Sequence, residues 1–106
     1  MKLIIAIVNN DDAQFVNTGL TSNGFHVTKI SSTGGFLMNG NSTFLLGVDE
    51  SELDSALEVI KTHSKKRTQH VPTLAPGTTI YGTPDMKVSV GGATVFVLDI
   101  EKSLRF

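Results

Sequence analysis

Cysteine is absent from the 106 residues, which removes disulfides, thiol nucleophiles and thiolate metal ligation and fits a cytoplasmic protein. Neither sign of charge is in excess. Nine Lys and Arg stand against ten Asp and Glu, a net charge of −1, so nothing in the balance draws the chain to DNA, RNA or an anionic membrane. Long apolar runs are missing too: Leu3 to Val8 is too brief for a signal-peptide core or a membrane span. There is no nucleophile elbow, P-loop or dinucleotide fingerprint. The three histidines, His26, His63 and His70, fall at no metal-ligand spacing with one another or with Asp and Glu. These absences point to a binding protein rather than an enzyme, with no metal and no cofactor, and with neither a nucleic-acid polymer nor a membrane as partner.

What is present reads as a single domain over residues 1–106. Leu3 to Val8 is a strand with apolar residues of both parities. Asn10, Asp11 and Asp12 offer N-cap oxygens, Ala13, Val16 and Leu20 follow at helical spacing, and Asn23-Gly24 supplies a C-cap, predicting a helix over about 11–22. Phe25 to Ser32 alternates like a strand, and Ser42 to Val48 is its returning hairpin partner. Ser51 and Asp54 resemble a capping box, and Leu53, Ala56, Leu57 and Ile60 form the apolar stripe of a second helix over about 50–63. From Ser64 to Asp85 the periodicity lapses and all three prolines appear, predicting a long loop at about 64–85 that orders with a ligand or partner. Met86 to Val90 and Ala93 to Ile100 read as two strands of a hairpin around Gly91-Gly92. Glu101 to Phe106 is a tail.

The order β-α-β-β-α, loop, β-β suits an α+β, ferredoxin-like sandwich, an antiparallel sheet with two helices on one face. The opposite face is then apolar as well, because both parities of Leu3 to Val8 and of Phe44 to Val48 are hydrophobic. Burial against other copies of the chain is the expected remedy, in a small symmetric oligomer whose clefts are natural ligand sites.

The stretch from Thr33 to Gly47 is the most suggestive. Gly34-Gly35 can bring bare amides to an anion, and the neighbouring Phe36 offers a face to a planar base. Ordinary turn chemistry accounts for Gly-Gly equally well, and Phe36 could fold back onto the core. Elsewhere the charges have plain explanations. Asp11, Asp12, Asp49 and Glu50 sit at helix starts, and His63 with Lys65-Lys66-Arg67 follows the second helix, where positive charge suits the dipole.

Taken together, Met1 to Val8, Val27-Thr28-Lys29, Thr33-Gly34-Gly35-Phe36-Leu37, Gly40 to Leu45 and Val90-Gly91-Gly92-Ala93-Thr94-Val95-Phe96-Val97 resemble the PII-like cyclic di-AMP receptor family of Gram-positive bacteria. The resemblance implies a PII-like homotrimer that holds one cyclic di-AMP at each subunit interface, has no catalytic activity, and signals to an unidentified downstream protein through rearranged loops. It assigns ligand contact to Thr28, Gly35, Phe36, Leu37, Asn41, Gly47, Gly91 and Gly92. Phe36 and Leu37 would sandwich adenine, Asn41 would read its edge, and Thr28 with glycine amides would hold phosphate oxygens. Family members usually carry Asn and Arg where this chain has Gly24 and His26, and the 64–85 loop does not match. A lost guanidinium fork makes His26 the candidate phosphate contact and leaves a mononucleotide such as ATP as the alternative ligand. If His26 serves that role, calorimetry finds tighter cyclic di-AMP binding at about pH 6 than at about pH 8, because imidazole gains its proton across that range. Equal affinities remove His26 from the phosphate.

Overall fold

The strand that opens the chain, β1 (Lys2–Asn9), alternates rather than burying both faces alike: Ile4, Ala6 and Val8 are buried, while Leu3, Ile5 and Ile7 are half-buried. In the computed structural model residues 1–31, 40–64, 67–71 and 86–106 are described, with 31, 67–71 and 86–90 described by backbone alone. Helix α1 (Asn10–Ser22) follows at once, and its cap is Asn9, whose side chain accepts the Asp11 N–H at 2.9 Å. The helix stops where Gly24 turns to a φ of 84° and the amides of Gly24 and Phe25 bond back to Thr21 and Leu20, the left-handed ending that glycine permits. Phe25 is thereby drawn into the core, so β2 (Thr28–Ser31) starts three residues later than its alternation predicts.

Strand β3 (Asn41–Val48) and helix α2 (Glu50–His63) come next. The predicted Ser51–Asp54 capping box is not formed. Asp49 is the N-cap, without a side-chain cap bond, and Glu50 and Glu52 in the first turn meet the helix dipole instead. The chain continues as β4 (Arg67–Val71), β5 (Met86–Val90) and β6 (Ala93–Asp99).

Two expectations are corrected here. The stretch at 64–85 is not loop throughout, since β4 lies within it and pairs antiparallel with β5 from Arg67 opposite Val90 to Val71 opposite Met86. A ladder is made by backbone groups, so the polar Arg-Thr-Gln-His sequence gave no sign of it. Nor do β5 and β6 form a hairpin about Gly91-Gly92. β6 runs along β1 instead, from Lys2 opposite Asp99 to Val8 opposite Ala93, and the Gly92 carbonyl accepts the Asn9 N–H at 3.1 Å. The glycines join two sheets rather than close one turn.

The four-stranded sheet is antiparallel with order β2-β3-β1-β6, the ferredoxin-like arrangement. Ile4, Val8, Phe44 and Leu46 on one face pack with Val16 and Leu20 of α1 and Ile60 of α2, all essentially inaccessible to water. The helices approach closely at Gly19, where an added Cβ would lie 2.7 Å from the His63 ring and 3.0 Å from Val59 Cγ1. His63 is exposed, as its sequence reading as a solvated group expects, and one side of its ring lies against α1 at Gly19. On the other face Leu45, Ile5 and Phe96 stand in register across three strands, beside Leu3 and Leu98. Phe96 and Ile30 remain about half exposed, at 51% and 50%.

At the sheet's end, Lys2 Nζ donates to Asp99 and lies 3.8 Å from Glu50 at the start of α2, tying β1, β6 and the helix together. The Lys2 hydrogen bond holds the Asp99 carboxyl below its ordinary value, and the Asp99 bond raises Lys2 above its own. The pair's contribution is thus complete at neutral pH. It is lost on the acid side as Asp99 protonates and on the alkaline side as Lys2 deprotonates. NMR titration of Lys2→Met should show the Asp99 carboxyl returning upward to the ordinary aspartate range, and an unmoved titration dissolves the pair. Alanine is favoured over glycine in a helix by about 1 kcal/mol, yet Gly19→Ala should destabilise by about 1 kcal/mol because the ring and Val59 must yield. Adding His63→Ala should recover part of that loss, with a coupling of about 0.5 kcal/mol or more in urea unfolding.

Candidate functional site

The sequence candidates that are described fall at opposite ends of the sheet. A cleft of about 570 Å³ at one end brings together His26, Thr28 and Gly47, with Met1 and Leu3 beneath them. Thr28 lies opposite Leu45, on the open apolar face, and Gly47 lies opposite Leu3. A Cβ at Gly47 would meet only ordinary contacts, with Ile100 and Met1 at 3.7 Å. Packing therefore does not demand glycine there, and its effect is to leave the cleft wall bare.

The tail crosses the same cleft through Ser103, Leu104 and Arg105. Sequence reasoning missed Arg105. It lies in a segment without periodicity, and no local signal tells where such a segment goes. Its position matters because the cleft then holds a guanidinium, an imidazole and a hydroxyl, a donor set suited to an anionic oxygen.

At the other end a second cavity, about 280 Å³, is lined by Asn9, Asn41, Gly91, Gly92, Ile7 and Thr94. Asn41 stands opposite Asn9 in the β1–β3 register. Gly91 and Gly92 have φ of 77° and 101°, backbone that side-chain-bearing residues rarely adopt. The Gly92 N–H donates to Asp12 Oδ2 at 3.2 Å, so that amide faces a carboxylate rather than an open anion site. Asp12, read from sequence as capping α1, is buried and reaches across to this turn. With neutral amide side chains on its wall and a carboxylate behind it, the cavity suits the donor and acceptor edge of a base better than a phosphate.

Asn41 and Gly47 are separated by six residues of one strand, about 20 Å at roughly 3.3 Å per residue. The structure thus brings His26, Thr28 and Gly47 together, and Asn41, Gly91 and Gly92 together, but keeps the two groups apart within one chain. Gly35, Phe36 and Leu37 lie outside the described residues. A third hollow, about 260 Å³, lies by the last turn of α2 between Leu57, Ile60 and Val95, and of the sequence candidates only Gly92 lines it. Among the described residues no group of three or more His, Asp or Glu is placed to hold a metal ion. No helix among them is long and apolar enough to cross a membrane.

With this geometry in view, comparison of the sequence with known families is decisive: the cyclic-di-AMP receptor family model matches residues 1–106, the whole chain. The chain belongs to the cyclic-di-AMP receptor family. Its fold is also similar to a crystal structure of a protein of unknown function from Pediococcus pentosaceus ATCC 25745, with a TM-score of 0.76 and 39% identity over 99% of this chain and 96% of that one. Membership in a receptor family agrees with the sequence reading of a binding protein, and makes cyclic di-AMP the ligand against which the two cavities are to be judged.

Proposed function

We propose that the protein is a non-enzymatic cytoplasmic receptor that binds cyclic di-AMP at the subunit interfaces of a homotrimer. The observation that carries this reading is the division of the candidate residues between two cavities about 20 Å apart at opposite ends of one apolar face. A single chain offers half a site at each end. Packing copies through the Leu45, Ile5 and Phe96 stripe would remove that face from water, and it lets the anion-suited end of one protomer meet the base-suited end of its neighbour.

The chemistry divides as the ligand does. Cyclic di-AMP carries two phosphodiesters and two adenines. Arg105, His26 and Thr28 suit a phosphodiester; Asn41 suits an adenine edge; Phe36 and Leu37 supply faces for stacking. Binding then shifts the equilibrium of the segment between β2 and β3, and a downstream protein reads the change. No nucleophile or general base is needed for this task.

Calorimetric titration with cyclic di-AMP, cyclic di-GMP and ATP, on protein whose mass is set by sedimentation, tests the reading. Cyclic di-AMP should bind most tightly, to a trimer, at one molecule per chain. Arg105→Ala and Asn41→Ala should each weaken it about tenfold, the loss of roughly 1.4 kcal/mol expected for one charged or well-aligned polar contact. Preference for ATP, or full affinity in a monomer, overturns it.

A further inference from the structure

Asp12 is the one buried acidic side chain among the described residues, 2% exposed. Its place in the first turn of α1 explains how a carboxylate tolerates burial, since the helix amides favour negative charge there. It is also aimed at something distant: Oδ2 accepts the N–H of Gly92, eighty positions along the chain. The Gly92 carbonyl is held in turn by the Asn9 N–H. On the other flank of the same cavity, the Asn10 N–H donates to Gly40 O at 3.0 Å, and Ser42 Oγ donates to Asn10 Oδ1 at 2.7 Å. Residues 9 to 12 therefore grip the backbone at both walls of the cavity that contains Asn41.

The grip matters most at Gly91 and Gly92. Two successive glycines have little intrinsic preference for the φ values they hold, so their shape is set by what bonds them. A cavity of about 280 Å³ leaves little slack. We propose that Asp12 is the positioning residue of the base-edge cavity: its carboxylate fixes the Gly91–Gly92 turn against Asn41, so that filling the cavity and ordering the β5–β6 junction are one event. The inference rests on the receptor reading above and assigns that site a second role, passing occupancy to β5 through backbone rather than through a moving side chain.

Two measurements on the full chain test it, calorimetry with cyclic di-AMP and hydrogen exchange of the Gly92 amide by NMR. Asp12→Ala should weaken binding about tenfold or more and speed Gly92 exchange by about tenfold, as expected when a charge-assisted bond is lost. Asp12→Asn, whose side-chain oxygen still accepts, should stay within about threefold on both. In the unsubstituted protein, saturating cyclic di-AMP should slow Gly92 exchange by about tenfold, which reads the coupling without any variant. Unchanged binding in Asp12→Ala, failure of Asp12→Asn alongside it, or a Gly92 amide indifferent to ligand overturns the inference. If the unsubstituted chain binds no cyclic di-AMP, the receptor reading falls instead, and Gly92 exchange in Asp12→Ala against Asp12→Asn still decides whether the latch exists.

Discussion

Everything in this fold hangs on β1 being apolar on both faces while paired on both edges. Ile4, Ala6 and Val8 anchor the helices, and Leu3, Ile5 and Ile7 project the other way. Its edges carry β3 and β6 in full antiparallel register. A central strand of this kind satisfies its backbone groups completely and so can sit between two hydrophobic environments. One of those environments is supplied by α1 and α2. The other is not supplied by the described residues, and the described candidate residues lie along that uncovered side.

The two ends of the uncovered face differ in electrostatic character, and the difference originates in separate elements. At the Gly47 end the guanidinium comes from the tail, through Arg105, and the imidazole from the loop before β2, through His26. At the Asn41 end the polarity is that of amides, and the nearest buried charge is a carboxylate. A ligand with anionic linkages and heterocyclic bases finds different chemistry at each end. On the proposed reading, orientation would be selected by charge as well as by shape.

Helices were the most legible part of the sequence. The stripes through Val16 and Leu20 and through Ala56 and Ile60 predict 11–22 and 50–63, and the structure has Asn10–Ser22 and Glu50–His63, because helical periodicity is written in side chains that the core selects. Backbone partnerships were not legible. Arg67–Val71 pairs without an apolar pattern, and a Gly-Gly turn signal does not say which strand its neighbours will join. The family resemblance names candidate site residues, but the arrangement of the described ones was not legible. Nothing local distinguishes an aspartate that caps its own helix from one, like Asp12, whose carboxylate meets an amide from the far end of the chain. Arg105 is a similar case, because only the path of the tail brings it to the cleft that Thr28 also lines.

β6 is bonded to β1 along one side only, and among the described residues no strand lies against its outer edge. Phe96, Val97 and Leu98, all exposed, run along it without a charge to discourage stray pairing. A lone protomer with such a border is a template for uncontrolled strand addition. Self-association that sequesters the neighbouring face would therefore act as a safeguard, and resistance to unfolding would rise with protein concentration by mass action. In such an assembly dilution, like heat, would uncover that border.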